Sequence, residues 1–167
     1  MIKDMYQIVL DFATKAHGTQ LRKYTNDPYI IHPIAVAKMV KGMGGDDNMV
    51  YAALLHDVLE DTDVTHSQLR AFLFQNFDVA DAADILSLVV DLTDVFTKDS
   101  FPQQNRKLRK TNEAKRLGVV SDRAKLIKVA DIKHNSESIT MYDPKFAKVF
   151  LAEKDVLLQY MGMLTKL

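Results

Sequence analysis

His56 and Asp57 stand side by side at the end of a run that is apolar nearly all round: Met49, Val50, Ala52, Ala53, Leu54 and Leu55. Two strong metal-ligand types at the end of such a helix are costly to bury without a partner. Glu60 follows His56 by four residues and Asp61 follows Asp57 by four. If the helix of about 47–57 continues for roughly one more turn, these acids stand just beyond the ligand pair. Carboxylates beside a metal suit the orienting and deprotonating of a bound water. A His-Asp dipeptide alone is weak evidence, and its surroundings carry the weight.

A second cluster lies in Lys128 to Asn135. Lys128, Asp131 and Asn135 are spaced by three and four, so they share one helix face amid Leu126, Ile127, Val129 and Ala130. That face offers a cation, a carboxylate and an amide, a set suited to phosphate, metal and sugar hydroxyl. The same spacing equally fits an internal Lys-Asp pair on a surface face. His32, just before Pro33, is by itself an ordinary helix-start residue. His17 sits beside an apolar stripe and reads as a core or supporting residue, His66 as an exposed one, and His134 as lying off the ligand face. Arg22 and Lys23 precede Pro28-Tyr29. A guanidinium there can stack on a base or pair with a phosphate, or be simply solvated. The segment Asn105 to Lys110 is the most basic, and is either a solvated face or the wall of an anion pocket.

Composition narrows the classes. The 22 basic and 22 acidic residues cancel, which argues against a general nucleic-acid binder, because such proteins carry a basic excess. The chain has no cysteine, so disulfides, thiolate metal sites and a cysteine nucleophile are excluded. Any metal must use His and carboxylate ligands. Charges at Lys3, Asp4 and Asp11 break up a signal-peptide core, and no apolar run approaches the roughly 20 residues of a membrane span. The expectation is a cytoplasmic protein with no membrane partner. A homo-oligomer is compatible with the sequence.

The elements that must position these residues are helical. Met5, Ile8, Val9, Phe12 and Ala16 form a stripe over 4–17. Gly18 to Asp27 reads as a loop, His32-Pro33 opens a helix to Gly42, and Asp46 or Asp47 caps the next. Further helices are expected from Thr65, over 78–92, over about 103–117, over 122–136 after Ser121, and from Asp143-Pro144 to about Met163. No strand, repeat or linker is visible. The 167 residues suit an all-α, compact single domain spanning 1–167, with about eight helices.

Three segments together resemble the HD-domain superfamily, and more narrowly the hydrolase domain of the RelA/SpoT alarmone enzymes and the stand-alone small alarmone hydrolases. They are AHGTQLRKYTNDPYIIHP (16–33), AALLHDVLEDT (52–62) and LIKVADIKHN (126–135), in the family's order. The resemblance implies an HD-type helical bundle binding one divalent metal, usually manganese, through His32, His56, Asp57 and Asp131. It puts the catalytic acid pair on Glu60 and Asp61. It puts the base-stacking arginine and its neighbouring lysine on Arg22 and Lys23, and nucleotide contacts on Lys128, Asn135 and Ser138. The implied reaction is hydrolysis of the 3′-pyrophosphate of the guanosine alarmones (p)ppGpp to GDP or GTP plus pyrophosphate. Alternatives are another nucleotide in the same site (an adenosine alarmone or the 2′-phosphate of NADPH) and a non-catalytic nucleotide sensor. A sensor has no need of Glu60-Asp61. Ile132 and Glu137 stand where the long enzymes usually carry Arg, and the loop between Lys23 and Pro28 is a residue longer. These departures bear on nucleotide preference and leave the ligand set whole. With no room for a synthetase domain, alarmone synthesis is not expected.

Overall fold

Most helix starts in this chain are closed by a short polar side chain, which explains why the sequence marks them so clearly. A computed structural model describes residues 4–163. These fall into two compact units that divide between Thr93 and Asp94. The first holds α1 (Met5–His17), α2 (Ile31–Gly42), α3 (Asp47–Leu55), α4 (Val58–Asp61), α5 (His66–Asn76) and α6 (Val79–Leu92). The second holds α7 (Arg106–Leu117), α8 (Asp122–Tyr142) and α9 (Pro144–Met161). The architecture is all-α, with only an isolated bridge between Leu21 and Pro28 outside the helices of the described residues. No helix among the described residues is long and apolar enough to cross a membrane.

In the first unit α3 is the central element and packs on α1, α2 and α6. Its Ala52, Ala53, Leu54 and Leu55 are fully buried, as an all-round apolar helix must be. Each buried leucine there contributes about 1.5–3 kcal/mol relative to exposure. The end of α3 is therefore a fixed platform. Asp46 caps its start, accepting from the Met49 amide at 2.9 Å. At the other end of the unit, Thr65 and Gln68 form a reciprocal capping box on α5. In the second unit α9 packs on both α7 and α8, with Leu117, Val129, Ile132, Leu158 and Met161 in its core.

The eight expected helices are all present, and a one-turn ninth, α4, arises where one helix was expected to run on. The helix foreseen over about 47–57 stops at Leu55. His56 and Asp57 form the joint, and α4 restarts with the Glu60 and Asp61 amides both bonded to the Asp57 carbonyl, at 3.2 and 2.9 Å. α7 starts at Arg106 instead of about 103 because Asn105 caps it. α8 runs six residues past the expected end at 136, to Tyr142. Neither Gly nor Pro interrupts it before Asp143-Pro144.

Candidate metal centre and active site

Three donors converge at the joint between α3 and α4. The Asp57 Oδ2 lies 3.1 Å from His56 Nε2 and 3.5 Å from His32 Nε2. One ligand atom from each of the three lies within 4.8 Å of the others. His32 comes from the first turn of α2, where it is fully buried, and His56 is 2% exposed. The His56 Nδ1 lies 2.7 Å from the Ala53 carbonyl oxygen. A carbonyl can only accept, so Nδ1 carries the proton, and neutral His56 presents its lone pair at Nε2. Fixing the outer nitrogen in this way is how proteins aim a metal-binding imidazole. Two imidazoles and a carboxylate on rigid elements fit a divalent first-row metal.

Tyr29 completes this side, and the sequence reading passed over it as a neighbour of Arg22. Its hydroxyl donates to Asp57 Oδ2 at 2.6 Å and also hydrogen-bonds Asp61. Burial and the Asp57 charge hold the phenol far above its ordinary value, so it stays a donor. The signal was available: Tyr29 stands three residues before His32 in the segment that leads into α2. Tyr29→Phe is expected to lower metal affinity and turnover about 10–100-fold, the usual cost of losing a ligand's supporting partner, with little change in melting temperature. Unchanged metal affinity and unchanged turnover together would show that the hydroxyl holds nothing of consequence.

Glu60 and Asp61 lie on the single turn of α4, both exposed. Desolvation of the Asp61 carboxyl, and next the Asp57 charge, hold Asp61 above the usual carboxylate range, against hydrogen bonds from Tyr29 and Gln20. His17 is buried and its Nδ1 meets Gln20 Oε1 at 2.9 Å. Its expected supporting role takes that form, a core histidine that steadies the residue holding Asp61. His66 is exposed, as expected.

The loop 18–30 is folded back on itself. Gly18 leaves α1 at φ +52°, where a side chain would be strained. Backbone bonds Tyr29 N to Gln20 O (2.9 Å) and Arg22 N to Asp27 O (2.8 Å) then pair its two arms. This puts the half-buried Arg22 guanidinium 5.8 Å from the Tyr29 ring centroid. Lys23 sits over Tyr24 at 5.0 Å.

In the second unit the spacing of three and four produces the expected shared face on α8. The Lys128 ammonium lies 3.0 Å from Asp131 Oδ2, and Asn135 Nδ2 donates to Asp131 Oδ1 at 2.7 Å. Asp131 is buried at 6% exposure. The internal Lys-Asp pair left open by the sequence is therefore real, and it coexists with the polar face. Ser138 is half-buried three residues further along α8.

A helical fold with a His and a His-Asp pair converging on one point, followed by acids, is that of a metal-dependent phosphohydrolase class, and the chain belongs to the HD domain family, whose profile matches residues 9–155. The guanosine-3′,5′-bis(diphosphate) 3′-pyrophosphohydrolase MESH1 of Xenopus tropicalis is 33% identical over 138 residues, covering 81% of this chain and 69% of that protein. A probable guanosine-3′,5′-bis(diphosphate) 3′-pyrophosphohydrolase of Synechocystis is 32% identical over 147 residues, 87% of this chain but 18% of that protein. The chain thus spans less than a fifth of such long relatives. A solved structure of a metazoan ortholog of SpoT, described as hydrolysing ppGpp, shares the fold with a TM-score of 0.77 at 24% identity, covering 96% of this chain and 88% of that one.

Proposed function

We propose that residues 1–167 act as one HD-type domain that hydrolyses the 3′-pyrophosphate of guanosine alarmones, releasing pyrophosphate and GDP or GTP. The observation that carries this is the convergence of His32, His56 and Asp57 with an acid pair on the very next helical turn. The names of the relatives support the substrate class, and a family profile that spans both units supports a single working domain. Asp131 serves as the fourth ligand, manganese is the metal, and the cytoplasm is the compartment.

Bound there, the metal polarises a phosphoryl oxygen and makes water more acidic. The chain's own residues do the rest. Glu60 and Asp61 orient the water and take its proton. Water oxygen bonds to the phosphorus next to the ribose, the 3′ oxygen–phosphorus bond breaks, and the 3′ oxygen receives a proton that the acid pair can return. Tyr29 has one proton and gives it to Asp57, so its oxygen is placed to accept from Asp61 once that carboxyl is protonated. Lys128 offsets phosphate charge, while Asn135 and Ser138 offer an amide and a hydroxyl to the nucleotide. Arg22 lies over the base, and Lys23 beside it meets phosphate.

A second reading rests on Ile132 and Glu137, which replace the arginines usual in the long enzymes: the same site acting on an adenosine alarmone or NADPH. A non-catalytic sensor would have no use for Glu60 and Asp61. Pyrophosphate or phosphate release with manganese across a nucleotide panel separates the three. Stacking tolerates either purine, so Arg22→Ala is expected to raise KM for guanosine and adenosine 3′-pyrophosphates by similar factors. Loss on one base only would mean that Arg22 reads the base edge.

A further inference from the structure

The basic helix singled out in the sequence finds a use in the second unit. Lys110 of α7 reaches Asp94 Oδ2 at 3.2 Å, and Lys128 of α8 reaches Asp131 at 3.0 Å. Lys154 of α9 is half-buried, with its amine 5.0 Å from the Phe150 ring centroid. Lys128, Asp131, Lys110 and Asp94 all act on that amine electrostatically. Asp94 in turn feels Lys128, Lys110 and Lys154. Three helices therefore bring three ammonium groups and two carboxylates to one place in a chain of zero net charge.

The place is built, not incidental. Buried Glu113 accepts from the Val95 and Phe96 amides at 3.0 and 2.9 Å. It thereby fixes the segment that starts at Asp94, while its other oxygen holds Arg116. Lys110 also borders a groove of about 630 Å³ between α7 and α9, where Arg106, Lys107 and Lys148 add cations. The one acid in that lining, Glu153, is held by Arg106 at 2.7 Å. Gathering like charges in partly desolvated surroundings is unfavourable until an anion arrives. Burial, then Lys128, pull the Lys154 ammonium down to about 8. Asp94 is held below the usual carboxylate range although burial alone would raise it, because Lys128 and Lys110 outweigh that effect.

We propose that Lys154 and Lys110 join Lys128 in a cation cluster that binds a diphosphate group, carried by the nucleotide or free as pyrophosphate. A lone phosphate needs no such spread, whereas cations on three helices with more along the adjoining groove match a longer polyanion. The identity of the ligand rests on the pyrophosphohydrolase reading above. The cations themselves do not.

The test is calorimetric titration of the full chain with inorganic pyrophosphate, with a guanosine 3′-pyrophosphate and with guanosine. Lys154→Met and Lys110→Met are each expected to weaken pyrophosphate and nucleotide binding about tenfold or more, the scale of one charge-assisted hydrogen bond, and to leave guanosine unaffected. Lys154→Arg keeps the charge and should stay within about threefold. The melting temperature of Lys154→Met is expected to be unchanged or higher, because a desolvated ammonium is removed. A merely structural lysine would lower stability and leave pyrophosphate affinity alone. If Lys154→Met does not fold, the more exposed Lys110→Met decides. Pyrophosphate binding equal to wild type in the folded Met variants overturns the cluster, even if nucleotides are hydrolysed. Weakened pyrophosphate binding in those variants upholds it, even if the wild-type chain hydrolyses no alarmone and the proposed function falls.

Discussion

His56→Ala is expected to remove both the metal and the turnover. His56 supplies one of three convergent donors, and its ring is pre-aimed by the bond from Nδ1 to the Ala53 carbonyl at 2.7 Å. No neighbouring side chain on the fully buried end of α3 can replace an imidazole, because Ala52 to Leu55 are apolar. Loss of a supporting partner alone costs about 10–100-fold, so loss of a ligand should exceed about 10²-fold in kcat/KM. Elemental analysis should fall from about one metal per chain to near none. Chelated wild type should behave in the same way and regain activity on adding manganese. The far-UV circular dichroism should persist, since the helix is held by its leucines and not by the histidine. Full-rate hydrolysis by metal-free wild type would sink the metal site as a catalytic centre.

How much of this was legible depended on what each residue answers to. Helix starts were legible because capping is local: Thr65, Asp78, Asn105, Ser121 and Asp143 each bond an amide two or three residues on. Helix ends were less so. Nothing in Leu55-His56-Asp57 breaks a helix by propensity, and the stop there serves the convergence with His32, a contact across 24 positions of chain that no window of sequence displays. The same holds for Tyr29, whose partner Asp57 is 28 residues away. The shared face of Lys128, Asp131 and Asn135 was legible because helical spacing alone makes it, and the printed contacts agree. Lys154 was invisible for the opposite reason. It reads as one more charge on an amphipathic helix, and only packing on α7 and α8 gives it neighbours of like sign.

The acid pair gives the second large effect. α4 begins on the Asp57 carbonyl, which accepts from both the Glu60 and Asp61 amides, so the acids are tied by one turn to a metal ligand without being ligands. Both are exposed, as groups that must meet water and substrate should be. Asp61 is also held by Tyr29 and Gln20, and it is kept above the usual carboxylate range by desolvation and by Asp57, which favours its taking up a proton. Asp61→Asn keeps the shape and removes that capacity. Glu60→Gln does the same one residue earlier. Each is expected to lower kcat on the order of 10²-fold or more, with metal content and nucleotide Kd within a few-fold of wild type. That split separates these variants from His56→Ala, which loses the metal, and from Lys154→Met, which loses pyrophosphate affinity. Direct metal analysis and equilibrium nucleotide binding, beside pyrophosphate release, give the three readouts. A variant that keeps near-wild-type turnover removes that acid from the mechanism. One that loses its metal along with its turnover moves the acid from handling water to building the metal site.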